Sequence, residues 1–530
     1  MWHAADVAIA TSNLQGDPDL NRARRDDDLA EAADTVSDVI VVGGGITGAG
    51  IALDAASRGL SVTLVEARDL AYGTSRWSSK LIHGGLRYLA HGDFGVAWES
   101  ARERHHLMTA IAPHLIRPLP HVLVHPDHQS RSRDAVVRAG LGGADALRRL
   151  AGTPRSVLPG ARNLRIETVS ELIPAIDRQR TRGGVGYWDG QLIDDARLVF
   201  AVARTAAAHG ARILTRMRAT EVSGDEVIVH DTLRGGTHHL RARHVVVAVG
   251  IWSGAWDDDL PMRLSRGTHV LLRPESLGRP RVAVTVPVSE GKSRYVFALP
   301  QPDGPIIAGL TDVPADDASP DDTHPPQSEV DWVLEHLSSV LHTALTPRDV
   351  MGSYAGYRPL VTALDSGSQD ASAATADISR RHLIHRRADG VTIVTGGKLT
   401  TYRKMAADAI DSLGIAASAC RTATLPLVGA NSNTEAADKR LVRRYGSEAV
   451  RIEELAREPD LKDVIPGTDG IVGAEIAHAI RHEGALTVDD ILQRRTRLSV
   501  QPELAESARP VITGLARSLD PDIVEFSVDP

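Results

Sequence analysis

The stretch Ser37–Ala67 reads SDVIVV, GGGITGAG, IALDAASRG and SVTLVEA, and it constrains the fold more than any other part of the chain. An apolar run, a glycine cluster, a helical run closed by Gly59 and a second apolar run make a βαβ unit, which opens a parallel sheet. Such a sheet is covered on both faces, so helices must follow. Gly43, Gly45 and Gly48 fall at the strand-to-helix turn. Lacking side chains, they let the backbone turn tightly and approach a pyrophosphate seated on the free N–H groups and positive end of the helix. Glu66 ends the second strand, 23 residues after Gly43, where a carboxylate accepts the ribose hydroxyls of an adenosine. A glycine turn selected for packing alone would not call for that acid. These residues predict a bound dinucleotide.

With 530 residues the chain exceeds a single core and divides into two or three domains. A net charge of −8 argues against a nucleic-acid partner, which needs a basic surface. The lone cysteine, Cys420, excludes an intrachain disulfide, a Cys-ligated zinc site or a thiol redox pair, and no metal centre is read elsewhere. Any electrons must then be carried by a cofactor. The longest charge-free run, Val39–Leu53, has 15 residues and is rich in glycine, so no bilayer span is expected. The first residues lack the basic start and apolar stretch of a signal peptide. A cytoplasmic protein is expected, with room for peripheral contact on the inner face of the membrane.

Further strands are predicted at Val245–Val249, Val282–Val288, Val296–Leu299, Ile306–Leu310 and Val391–Thr395, and a helix at Ala196–His209. Residues 1–36, polar and without period, read as a mobile tail. Asp312–Gln327 and Ser366–Ala376 read as solvated loops. From about residue 416 strand signals fade and charged helical segments take over. The expected class is α/β: a Rossmann-like dinucleotide domain (37–125, 183–262 and 348–415), an inserted antiparallel domain (126–182 and 263–347) and a C-terminal helical domain (416–530).

The glycine turn does not separate FAD from NAD; the segment Gly73–Leu89, GTSRWSSKLIHGGLRYL, does. Hydroxyls cluster at Thr74, Ser75, Ser78 and Ser79, followed by Lys80, His83, Gly84, Gly85, Arg87 and Tyr88. A nicotinamide domain has no use for such a run after its second strand. A flavin enzyme must hold a long cofactor and cover its ring, and small hydroxyls with glycines let the chain pass close to both.

This wording resembles the FAD-dependent glycerol-3-phosphate dehydrogenases, within the D-amino-acid-oxidase-like flavoproteins. The resemblance continues through Asp194–Leu198, Ser265–Leu271 (SRGTHVL), Gly309–Asp312 (GLTD), Tyr354–Leu360 (YAGYRPL) and Gly396–Lys404 (GGKLTTYRK), nearly unbroken to about residue 500. It implies FAD as cofactor, glycerol 3-phosphate as substrate, a quinone-type electron acceptor and room for a homodimer. Gly250 stands in the turn VGIW that lines the cofactor in the family. Gly397, Leu399 and Thr400 open a helix whose N-terminus faces the edge of the flavin ring where charge collects on reduction. Around the substrate the resemblance places Arg87, Tyr88, His269, Arg358, Arg380 and Lys398. Arginine suits a phosphate because its planar fork binds two oxygens at once, although Arg381 could serve in place of Arg380. His269 is the first candidate base and Lys398 the second.

One segment departs from the family. Arg133–Leu150 reads RDAVVRAGLGGADALRRL, without the aromatic, apolar character associated there with membrane docking. A basic face could still meet anionic lipid. Three rivals remain: an oxidase with oxygen as acceptor, an amine or amino-acid oxidase of the same superfamily, and a non-catalytic flavin-binding protein.

Overall fold

The βαβ unit forms where the glycines place it, as strand Val36–Val42, helix Ile46–Ser57 and strand Val62–Glu66. The structure is a computed structural model that describes residues 16–85, 93–257, 260, 262–288, 295–302, 304–316, 319, 321–361, 381–430 and 438–525. In the first sheet, Val36–Val42 lies between Val62–Glu66 and Thr237–Val247, with Arg212–Thr215 and Thr392–Gly396 outside them, all parallel. Side chains alternate between faces as strand geometry requires. Val39, Val41 and Leu64 pack in one cluster with helices Ile46–Ser57, Asp195–Ala208 and Tyr402–Ser412. Ile40, Val42 and Val65 turn the other way, onto Val227, Val229 and Leu240 of an antiparallel extension.

Residues 22–34 correct the expectation of a mobile tail: they form a helix docked beside this sheet, while residues 1–15 lie outside the described residues. Asn21 caps it by accepting from the Arg24 amide at 3.0 Å. Arg25 is buried, donating to the Thr215 carbonyl at 2.7 Å and pairing with Asp231 at 2.9 Å. The helix is held through paired charges and carries little apolar periodicity, which is why its composition reads as solvated.

A second sheet, of ten strands among the described residues, packs its outer face on helices Ile166–Leu172 and Gln327–Ser338. Along its strands Val270, Val284, Val296 and Val122 join that packing. His269, Thr285, Phe297 and Leu123, one residue away on each strand, line a cavity on the inner face. This sheet takes in Leu81–Ile82, Ile116–Pro126, Thr181–Leu192 and Val350–Val361, so it draws more of the chain than the expected segments 126–182 and 263–347. It is antiparallel except where Ala283–Pro287 runs parallel to Ile116–Pro126. The stretch after Asp312 also departs from a free loop. Val313 and Pro314 pair with Arg266 and Ser265, and Asp321 bonds Arg68 across the cavity mouth at 2.5 Å. Ser366–Ala376 lies outside the described residues.

The C-terminal residues are helical, including Gly473–Arg481 and Pro502–Leu519. Buried ion pairs tie them to the first sheet and its helices: Arg197–Glu483 at 2.6 Å, Arg494–Asp69 at 2.6 Å and Arg216–Asp490 at 2.5 Å. Among the described residues no helix is long and apolar enough to cross a membrane.

Candidate active site

One large cavity, about 1690 Å³, lies between the two sheets. It exceeds the range of about 300–1,000 Å³ typical of small-molecule pockets, leaving room for a dinucleotide together with a substrate. From the first sheet it is lined by the turns at Gly43–Thr47, Gly73–Ser75, Gly250–Trp252 and Gly396–Thr400.

The glycine turn is built for close approach. Gly43 has φ +113°, and a Cβ there would lie 2.6 Å from the Ala248 carbonyl oxygen. A Cβ on Gly48 would lie 1.9 Å from the Gly43 oxygen, so this helix sits tight against the turn only with glycine at that position. The helix has Gly45 at its N-cap and hence no capping side chain of its own. Ser75 fills part of that role, its Oγ accepting from the Ile46 amide at 2.9 Å.

Glu66 accepts from the amides of Gly44 at 2.6 Å and Arg68 at 2.8 Å. Burial pushes its carboxyl up, and the two amides act against that. Each oxygen keeps a second lone pair for a ribose hydroxyl. At the far end Gly396 and Gly397 have φ +75° and +74°, then Lys398 is extended and leads into Leu399–Thr401 and helix Tyr402–Ser412. Two helix N-termini thus face one elongated cavity, an arrangement that fits a dinucleotide whose far half is an electron-accepting ring.

The hydroxyl-rich segment divides. Thr74 donates to the Tyr357 carbonyl at 2.7 Å and lines the cavity, as does His83. Ser79 bonds His269 Nε2 at 2.8 Å. Ser78 and Lys80 are turned to a buried partner instead. Asp195 accepts from the Ser78 amide at 2.9 Å, Ser78 Oγ at 2.8 Å and Lys80 Nζ at 2.7 Å. Burial opposes the charge on Asp195, but Lys80 and Arg497 hold it below the usual carboxylate range. The reading of Lys80 as a cofactor ligand is therefore corrected: its ammonium is committed to an ion pair that shapes the segment, and a buried cation needs that partner.

His269, Arg358 and Lys398 come from different elements and line the same cavity. His269 is buried, stacked on Tyr354 with ring centroids 4.8 Å apart. Burial first, then Arg358 and Lys80, push its imidazole down to about 3, so it is neutral at physiological pH. Arg358 donates to Ser265 Oγ at 3.3 Å and lies 3.7 Å from Asp312. Lys398 Nζ donates to Ser100 Oγ at 2.6 Å. Arg87, Tyr88 and Arg380 lie outside the described residues.

Sequence reasoning missed several neighbours. Arg104 bonds Asp189 at 2.6 Å, and Asp189 also accepts from the Gly84 amide at 3.1 Å, fixing the glycine pair from behind. Glu329 accepts from Arg266, Thr268 and Thr311 at the cavity wall. Nothing in their local wording marks them, because their partners are 18 to 105 residues away. Asp195 had a local signal. Asp194 caps the next helix, accepting from the Ala196 amide at 2.9 Å, and a second acid directly after a cap is buried at the helix start.

Two layers that close on a dinucleotide turn and on a wall of cationic and imidazole side chains define a flavin-dependent oxidoreductase. The family described as "FAD dependent oxidoreductase" matches residues 38–403, and "C-terminal domain of alpha-glycerophosphate oxidase" matches 420–521. "Glycerol-3-phosphate dehydrogenase 1" of Mycobacterium tuberculosis is 47% identical over 496 residues, covering 91% of this chain and 95% of that protein. "Glycerol-3-phosphate dehydrogenase" of Pseudomonas aeruginosa is 35% identical, covering 88% and 92%. The solved glycerol-3-phosphate dehydrogenase from Bacillus halodurans, complexed with FAD, superposes with a TM-score of 0.70 at 25% identity over 94% of each chain. This chain belongs to the glycerol-3-phosphate dehydrogenase family of FAD-dependent oxidoreductases, and its cofactor is FAD.

Proposed function

We propose that this chain oxidises sn-glycerol 3-phosphate to dihydroxyacetone phosphate and passes the electrons to a quinone-type acceptor. The observation that carries the reading is the convergence of His269, Arg358 and Lys398 on the cavity that also holds both glycine turns. The names of the relatives supply the substrate.

Gly43, Gly45, Ser75 and Glu66 hold the adenosine and pyrophosphate half of FAD, and Gly250, Gly397, Leu399 and Thr400 hold the ring end. Bound there, FAD supplies the atom N5 that takes hydride from the substrate's C2. Arg358 binds the phosphate with its planar fork, oriented by Ser265 and Asp312. Arg87, Tyr88 and Arg380 complete the substrate-binding set, as the resemblance implies. Lys398 holds negative charge at the ring edge. His269 takes the C2 hydroxyl proton. As a free base it is weak, because burial first and Arg358 after it depress the imidazole. A phosphate beside Arg358 offsets that cation, so substrate binding itself strengthens the base.

The test is an anaerobic spectrum of the purified holoprotein. Glycerol 3-phosphate bleaches the flavin and yields dihydroxyacetone phosphate, while glycerol, lacking the anion, bleaches it far more slowly. Equal bleaching by glycerol would exclude the phosphate site. Hydrogen peroxide formed in step with product in air would assign oxygen as acceptor in place of a quinone.

A further inference from the structure

An imidazole that takes a proton from the C2 hydroxyl needs its ring held at a fixed tilt, and one hydrogen bond fixes a point of the ring, not its plane. Ser79 holds His269 at Nε2. The plane is set by Tyr354, its partner in the strand ladder, which stacks on the imidazole at 4.8 Å and 15°. Tyr354 is buried and is itself fixed twice. Its hydroxyl donates to the Ser78 carbonyl at 3.0 Å, and its ring lies 5.2 Å from that of Trp77. Loop and strand meet so closely here that a Cβ on Gly356 would lie 2.5 Å from the Trp77 carbonyl oxygen. Trp77, Ser78 and Ser79 thus hold both the imidazole and the phenol that backs it.

Trp77 is held in turn from the C-terminal helical part of the chain. Two guanidinium groups lie over its ring, Arg76 at 4.4 Å and Arg497 at 5.0 Å from the centroid. Arg497 is buried, and its Nη2 donates to the Arg76 carbonyl at 2.6 Å. Its backbone is left-handed, with φ +63°, a conformation that a residue with a side chain keeps only where its surroundings fix it. That turn sends the chain into Leu498–Val500, and Val500 packs against the cluster of Trp77, Leu271 and Tyr354. A Cβ on Gly352, in the same strand as Tyr354, would lie 2.0 Å from the Val500 carbonyl oxygen. Adhesion between the two parts does not require Arg497, since Arg494 and Arg216 already form buried pairs with Asp69 and Asp490. Arg497 is set apart by its place at the head of a row of rings that ends on His269.

Resting on the proposed role of His269, we infer that Arg497 is a positioning residue of the active site: through Trp77 and Tyr354 the C-terminal part sets the tilt of the imidazole that takes the proton. Arg497 lies behind the cavity wall that Trp77 forms. Substrate binding is left to Arg358 and Lys398, and the effect of Arg497 falls on the proton transfer.

Holoprotein variants test it by anaerobic stopped flow over a range of glycerol 3-phosphate concentrations. Arg497→Met should keep FAD and bind substrate within about twofold of the parent, while the limiting rate of flavin reduction falls about tenfold, the scale of a modest misplacement of a reacting group. Its solvent isotope effect in D₂O should rise, because a misaligned base slows the proton transfer. Arg497→Lys should recover the rate to within about threefold of the parent, since an ammonium keeps a cation over the indole and a donor for the Arg76 carbonyl. NMR of labelled histidine, assigned with His269→Gln, should show the ring signals of His269 displaced in Arg497→Met and restored in Arg497→Lys. A Met variant reduced at the parental rate, a loss that falls on substrate affinity alone, or unmoved His269 signals overturns the assignment. If Arg497→Met sheds its FAD, the stack is read from the loop instead. Trp77→Phe should then reduce within about threefold of the parent and Trp77→Leu about tenfold more slowly, and equal rates in the two overturn the assignment. His269→Gln reduced at the parental rate overturns the proposed base instead, and the histidine signals still report the positioning.

Discussion

Replacing Asp195 by asparagine should destabilise the protein strongly, although Asp195 is not proposed to touch substrate. Its carboxylate is fully buried and accepts from Lys80 Nζ at 2.7 Å, Ser78 Oγ at 2.8 Å and the Ser78 amide at 2.9 Å. An asparagine in its place can still accept from Ser78, but its NH₂ group turns a donor toward Lys80 and leaves a buried ammonium without a counter-charge. Breaking a buried pair on one side costs about 3–5 kcal/mol, whereas removing both charges is often close to neutral. The FAD-binding part should therefore melt on the order of 10 °C lower in Asp195→Asn. The double variant Lys80→Met/Asp195→Asn should recover most of that loss. Release of flavin fluorescence on heating reports the transition directly. The folded carboxyl is depressed, so its stabilisation is present above the unfolded value of about 3.9 and is lost as pH falls through the still lower folded one. The gap between parent and Asp195→Asn should thus persist from pH 8 to 5 and close below pH 4. A loss under about 1 kcal/mol, or a double variant as unstable as the sum of the singles, would refute the reasoning.

Glu66→Gln should weaken FAD binding by about 1–3 kcal/mol, because an amide has one acceptor oxygen for a site where two backbone N–H groups already point; equilibrium dialysis of FAD measures it. Lys398→Ala should keep FAD and lose no more than about 1 kcal/mol of stability, while flavin reduction by substrate in stopped flow falls about 100-fold; an unchanged rate would remove Lys398 from the site. An NMR titration of labelled histidine should find His269 neutral down to at least pH 5. Arg358→Met should raise its midpoint, since a cation that disfavours the imidazolium is gone; a parent midpoint between 6 and 7 would contradict this.

How much of this is readable in the chain depends on how local the cause is. The βαβ unit is set within 31 residues by turn geometry and apolar runs, and its elements fall where the pattern puts them. The second sheet is less legible. Its strands Ile116–Pro126 and Thr181–Leu192 contain prolines and glycines that blunt any strand signal, and they pair across about 65 residues. The N-terminal helix escapes a reading by composition because its buried arginine is satisfied by Asp231 and the Thr215 carbonyl, far away in sequence. Composition reads charge as exposure and cannot see the partner that cancels it.

The same limit explains why Lys80 reads as a cofactor residue. It stands in a segment of hydroxyls and glycines that reads as running along the cofactor. Its actual role is set by Asp195, which begins helix Asp195–Ala208 115 residues later and draws Lys80 and Ser78 to one carboxylate. That pairing holds Lys80 at φ +55° and leaves Ser79 to reach His269 at 2.8 Å. The charge read from the sequence as a ligand therefore works one step behind the site. Asp195 and Lys80 fix Ser78, and Ser79 beside it orients the imidazole proposed to take the proton.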